Sequence, residues 1–238
     1  MKHSRFFLLS ALVILYSGLL WQSSCNKKNN NNGTPEDVWN IETQGIPKFS
    51  EHYLELDKIS KISRFRSSAG HDYSDFTEQC RSMKHYFFPK DTINWSNIQI
   101  FSPISGTVTR FEQEWAGFKI EIQSDQYPAF RMMLFHVATI REFFIGDKLT
   151  QGQLLGYHIG FETWSDISVF VNDPTRQGRL VSYVETLTDE AFSDYLLRGA
   201  TARSDFIISK SLRDLNPLQC SGDAFLPGDT LDVWVQLK

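Results

Sequence analysis

From residue 94 to 172 apolar and polar residues alternate with a period near two, the signature of half-buried strands. The stretch "IQIFSPISGTVTRFE" alternates and turns at Pro103 and Gly106. "GFKIEIQS" puts Phe118, Ile120 and Ile122 on one face. "AFRMMLFHV" is nearly continuous in apolar residues, which predicts a more buried strand ending near His136. Gly146-Asp147 and Gly152 punctuate the next short runs, and "DISVFVND" alternates again with Ile167, Val169 and Val171 facing one way. After Pro174 the period lengthens. Thr188 reads as an N-cap, with Asp189 and Glu190 in the first turn and Ala191, Phe192, Tyr195 and Leu196 at helical spacing. "SDFIISKSLRDLNP" predicts a second short helix, stopped near Asn216-Pro217. Leu231, Val233, Val235 and Leu237 then alternate in a last strand. The pattern predicts a mainly β fold, an antiparallel sheet with a C-terminal helical appendage and a final β-strand.

The first residues follow another logic. Lys2 and Arg5 precede an apolar run from Phe6 to Trp21, too short for a bilayer span of about 20 residues and suited to a secretory signal over 1–24. "QSSC" then looks like a lipobox, with Gln22 where Leu is common. That resemblance implies cleavage before Cys25, acylation of Cys25, and a membrane-anchored lipoprotein of the bacterial cell envelope, periplasmic or surface-exposed. Secretion with Cys25 as a plain residue is the alternative. Residues 25–38 include four consecutive Asn and almost no apolar surface, so they predict a flexible tether, and 39–238 a single domain.

Charge and cysteines narrow the class. The formal charge is −4, and it becomes −6 once Lys2 and Arg5 are removed with the signal. No Lys/Arg cluster rises above the background, which excludes nucleic acid as the expected partner. An aromatic content of 14% suits a β-rich core. With Cys25 acylated, Cys80 and Cys220 remain, and in an exported chain they are expected to pair, a pair of buried thiols being the alternative. The bond would close a loop of roughly 140 residues, about 4 to 5 kcal/mol in the chain-entropy model.

The order of motifs then becomes informative. His71-x-x-x-Asp75 comes first, followed by "FSPISGTVT" (101–109), "GFKIEIQ", "MLFHV" and "GDKLTQGQLLG", and last by the strand containing Asp166 and Ser168. This order resembles the lysostaphin-type (LytM-like) zinc endopeptidases of the duplicated-hybrid-motif fold, over about residues 65 to 172. The resemblance implies an antiparallel sheet forming a groove or sandwich. It further implies His71 and Asp75 as zinc ligands and His136 as a catalytic residue. The family's closing strand carries His-x-His. Here Asp166-Ile167-Ser168-Val169-Phe170-Val171 takes its place and both histidines are missing, which leaves Asp166 or Ser168 as the nearest stand-in for a third ligand. His158, Cys80 and His85 are further candidates that nothing in the sequence places at the site.

A zinc peptidase needs three protein ligands and an open fourth position. The first expectation is therefore a degenerate, non-catalytic module without a cofactor. It would bind a cell-wall peptide or an envelope protein by adding a strand to a sheet edge. Zinc, in an active endopeptidase cleaving peptidoglycan crosslinks, is the alternative. His71 and Asp75 are expected to hydrogen-bond each other and order their loop. Arg81, Lys84 and His85 read as loop residues bonding backbone carbonyls, with Asp72, Asp75 and Glu78 near Arg66 and Arg81 as a salt-bridged loop. Trp115, Phe118, Phe143, Phe144 and Phe161 are groove candidates, and Trp164, just before the closing strand, is the expected binding aromatic.

Overall fold

The structure is a computed structural model that describes residues 37–238. The signal segment, Cys25 and most of the tether lie outside the described residues. Among those described, no helix is long and apolar enough to cross a membrane.

Among the described residues, thirteen strands are joined by short helices. The chain enters through α1 (Ile41–Gln44) and runs through β1 (Ile59–Ser63), β2 (His85–Pro89), β3 (Gln99–Phe101), β4 (Gly106–Gln113) and β5 (Phe118–Ser124). It continues as β6 (Phe130–Thr139), β7 (Lys148–Leu149), β8 (Leu154–His158), β9 (Ser165–Val171) and β10 (Arg179–Val181). Then follow α2 (Asp189–Leu197), α3 (Lys210–Leu215), β11 (Cys220–Ser221), β12 (Ala224–Phe225) and β13 (Trp234–Gln236). The main sheet runs β13-β1-β2-β9-β6-β5-β4-β7, with β10 on β9 and the β3–β8 pair on β6. Every strand pair in it is antiparallel.

Register gives the sheet two unlike faces. Ile120 lies opposite Leu134, and Leu134 opposite Ile167; Ile122, Met132 and Val169 form the next row. These residues are fully buried in the main core. The period of two sends their neighbours to the other face. That face carries Glu121, Met133 and Ser168 in one row and Phe135, Asp166 and Tyr86 in another. The alternation expected for Ile167, Val169 and Val171 is what the strand shows.

The helical region departs from the expectation in one place. Thr188 caps α2 through Ala191 N–H, as predicted. The second helix is broken in two: a 3₁₀ turn covers Arg203–Phe206, and Ser209 then caps a separate α3. Between them Phe65 and Ile207 form a parallel bridge, so the backbone there pairs with another segment and leaves the helix.

Candidate functional site

β2 and β10 share one edge of β9: β2 covers Ser165–Ile167 and β10 covers Val169–Val171. Ser168 falls between them, and Lys84, one residue before β2, turns onto the same face. Its ammonium lies 2.8 Å from Asp166 Oδ2, with side chains 2% and 0% exposed. The other carboxylate oxygen, Oδ1, is buried without a hydrogen-bond partner. Lys84 Nζ donates towards His71 Nε2 at 3.4 Å and sits 3.7 Å from the centre of the Phe135 ring and 4.4 Å from that of Tyr73. His71 Nδ1 donates to Asp72 O at 2.9 Å, which leaves Nε2 as the acceptor the ammonium needs. The loop role expected for Lys84 is thus corrected: its partner is a buried carboxylate, because β2 pairs with β9 and carries the side chain inward.

His136 approaches Asp166 from the other side, with Nε2 3.7 Å from Oδ1. Its placement depends on a bulge. Between Phe118–Val137 and Ile120–Leu134, β6 spends one residue more than β5, and His136 takes a left-handed backbone (φ 59°). The β4–β5 turn holds it there. Ala116 O accepts from His136 Nδ1 at 3.0 Å, and Glu114 Oε2 accepts from its backbone N–H at 3.2 Å. Gly117 (φ 69°) permits this approach, since a Cβ there would lie 2.8 Å from Val137 O.

His71 and Asp75 do not act as a pair. Asp75 Oδ1 accepts from Thr77 N–H and hydroxyl, both at 2.8 Å, and from Glu78 N–H at 3.1 Å. Its Oδ2 accepts from Leu180 N–H at 3.2 Å, which ties the loop to β10. This is an Asx-type turn that uses both oxygens locally, so the expected hydrogen bond to His71 is absent. Asp72 likewise accepts from Ser74 and from Arg81 N–H. Only Glu78 fits the salt-bridged reading, bonding Arg66 at 2.7 Å and Arg81 at 2.8 Å while 3% exposed.

The loop is a strap across the polar face. Tyr73 N–H donates to Arg81 O and Met83 N–H to Tyr73 O, so residues 73 and 81–83 run side by side. Cys80 is disulfide-bonded to Cys220, with Cα atoms 5.8 Å apart, as the cysteine usage predicts. Tyr73 reaches over the centre of the face, its hydroxyl 3.5 Å from both Met133 Sδ and Ser168 Oγ. Burial raises its pKa, so the phenol stays protonated.

Tyr73 lines two cavities, one on each side. One, of about 720 Å³, is lined by His71, Lys84, His136, Trp115, Phe161 and Trp164 among others. The other, of about 670 Å³, is lined by Asp75, Phe76, Arg110, Glu121, Arg131 and Phe170 among others. Trp164 lines the first, packed edge-on against Tyr86 and Trp234. Trp115 and Phe161 join it at the mouth. Phe118 instead stacks on Phe111, and Phe143 is core.

The residues present do not fit a zinc ion. Lys84 places a positive charge against the carboxylate nearest the expected third-ligand position, where a metal cation would meet it with like-charge repulsion. Among the described residues no group of three or more His, Cys, Asp or Glu side chains converges on one point. His85, another candidate, is buried away from the face, its Nδ1 donating to Ser63 O at 2.8 Å and its Nε2 accepting from Ser182 Oγ at 2.7 Å. His158 Nδ1 accepts from Gly160 N–H. Ser168 has Tyr73 as its neighbour.

No family model matches the chain, and no curated protein does. Solved structures are similar over part of it. A LytM glycyl-glycine endopeptidase from Ruminococcus gnavus aligns over 43% of this chain and 44% of its own length, at 18% identity and a TM-score of 0.34. The SpoIIQ–SpoIIIAH pore-forming complex aligns over 66% of this chain and 99% of the matched chain, at 13% identity and TM-score 0.42. The lysostaphin catalytic domain from Staphylococcus simulans aligns over 49% and 84%, at 16% identity and TM-score 0.34. The chain thus spans less than half of the first of these.

Proposed function

We propose that the chain is an exported, non-catalytic peptide-binding protein, built on a metallopeptidase-like sheet whose reactive centre is closed by a lysine. The observation that carries this reading is the Lys84–Asp166 pair, with His71 accepting from the same ammonium. A fixed ammonium supplies the positive charge that holds Asp166 in place, but it has no open coordination position and cannot lower the pKa of a water as a metal does. The histidines are therefore structural groups around a salt bridge.

Binding is supported by the two cavities and by a free sheet edge. β7 pairs with β4 only at Gly106 and Thr107, so the outer edge of β4 from Arg110 onward has no partner strand among the described residues. Arg110 on that edge lines one cavity, and Glu114 in the β4–β5 turn that follows lines the other. An extended peptide laid along it would gain main-chain hydrogen bonds from the edge and side-chain contacts from the cavities. In this reading the ligand is a cell-wall stem peptide or an envelope-protein segment, and Cys25 anchors the protein in the envelope.

Metal content tests the reading. Purified protein carrying no His tag, reconstituted with zinc and then dialysed, is expected to retain far less than one zinc per chain by plasma mass spectrometry. Near-stoichiometric zinc that disappears in His71→Ala would sink it and put a peptidase first.

A further inference from the structure

The cavity beside Trp164 offers charge of one sign. Its two lysines each have a carboxylate partner, Lys84 in Asp166 and Lys119 in Glu112 at 2.6 Å, the latter shared with Arg110 at 3.1 Å. Its two histidines are each engaged through a ring nitrogen, His71 with Lys84 and Asp72 O, His136 with Ala116 O. Glu162 is exposed at the rim and makes no ion pair or side-chain hydrogen bond among the described residues. Glu114, on the opposite wall, bonds only His136. The uncompensated charge facing the cavity is therefore negative.

The walls around these carboxylates are aromatic. Trp115 and Phe161 are each 73% exposed although they belong to a concave site. Trp115 packs on His136 at 5.3 Å and Phe161 on Trp95 at 4.7 Å, so both have one face supported and the other open. Open π-faces attract a cation through the ring quadrupole, and adjacent carboxylates add to that attraction. A carboxylate ligand would meet Glu162 and Glu114 with like charge.

We propose that this cavity receives the side-chain ammonium of a diamino-acid residue, such as lysine, within the bound peptide. The assignment rests on the peptide-binding reading above and adds which side chain the site selects. Trp115 and Phe161 flank the ammonium, and Glu162 and Glu114 accept its hydrogen bonds. Lys84 also lines the cavity, its ammonium paired with Asp166 and packed against the Tyr73 and Phe135 rings.

The test uses the full chain and two end-blocked tripeptides, Ala-Lys-Ala and the same peptide acetylated on the lysine Nζ. Tryptophan fluorescence titration should show Ala-Lys-Ala binding, with affinity weakened on the order of tenfold by acetylation. Glu162→Gln and Trp115→Ala should each weaken it several-fold, and both positions are exposed enough to leave folding intact. Equal binding of the two peptides, no binding of either, or no effect of either substitution would overturn the proposal. Retention on purified peptidoglycan separates this from the parent reading. Equal retention of the wild type and both variants would leave the peptide-binding reading standing and remove the ammonium site. Amine-dependent tripeptide binding without retention on peptidoglycan would do the reverse, keeping the site and removing the cell-wall ligand.

Discussion

Lys84 and Asp166 are both taken out of water as charges, and each is tolerable only because the other is there. Lys84→Met should therefore cost about 3 to 5 kcal/mol by leaving Asp166 buried and unpaired. The double variant with Asp166→Leu should recover most of that loss. Urea unfolding of the three proteins checks this, and a mild single variant would show that the pair is not what orders the site. His85 gives a separate signal. Burial lowers its pKa from 6.5 to about 4, so the folded protein holds it neutral while the unfolded chain protonates it below about 6.5. His158, also lowered to about 4 mainly by burial, adds to the effect, so stability should fall as pH drops from 6.5 towards 4, and His85→Gln should reduce that slope without abolishing it. Residue identities showed unevenly in the sequence. The apolar strand carrying His136 was legible from its run of hydrophobic residues, although it continues past the expected end to Thr139. Lys84 was not, because "SMKHYF" reads as a polar loop and nothing local tells that the next strand pairs against Asp166.

Among elements, those with strong periodicity came out as the sequence predicts: β4 to β6, β9, the Thr188-capped α2, and turns at Gly146 (φ 98°) and Gly152 (φ 78°). β2 was missed, since its five residues, His85–Pro89, are apolar without alternation and follow a polar stretch. The strap was missed too, because its bonds are made by side chains to backbone far away in the chain, as from Asp75 to Leu180. The Cys80–Cys220 bond closes this strap onto the C-terminal segment, and Arg213, fully buried, reinforces it through Arg66 O and Asp229. Replacing both cysteines by Ser should cost about 2 to 4 kcal/mol. Hydrogen exchange should show the loss locally. The Tyr73 and Met83 amides, bonded across the strap, should exchange faster, while those between β6 and β9 keep their protection. Uniform loss across the sheet would mean that the strap and the sheet unfold as one unit.

At the scale of the molecule, one sheet presents a continuous core to one side and a strapped, divided face to the other. Tyr73 stands at the division. One cavity beside it is aromatic and lined by Glu114 and Glu162; the other is lined by Arg110 and Arg131, each paired with a carboxylate (Glu112 and Glu121), and by Asp75. The motif order made the sheet legible but not this division, because the departure lies in what fills the centre.

The strand order has a temporal side. β1 is bordered on its outer edge by β13, and the strap is fastened by Cys220, so two features of the fold wait for residues made long after β1 and Cys80. While the chain is still being threaded, β1 is a bare edge with unpaired N–H and C=O groups, open to pairing with another copy. Finishing the fold and protecting it from aggregation are therefore the same event. A chain that stops short of Cys220 loses both.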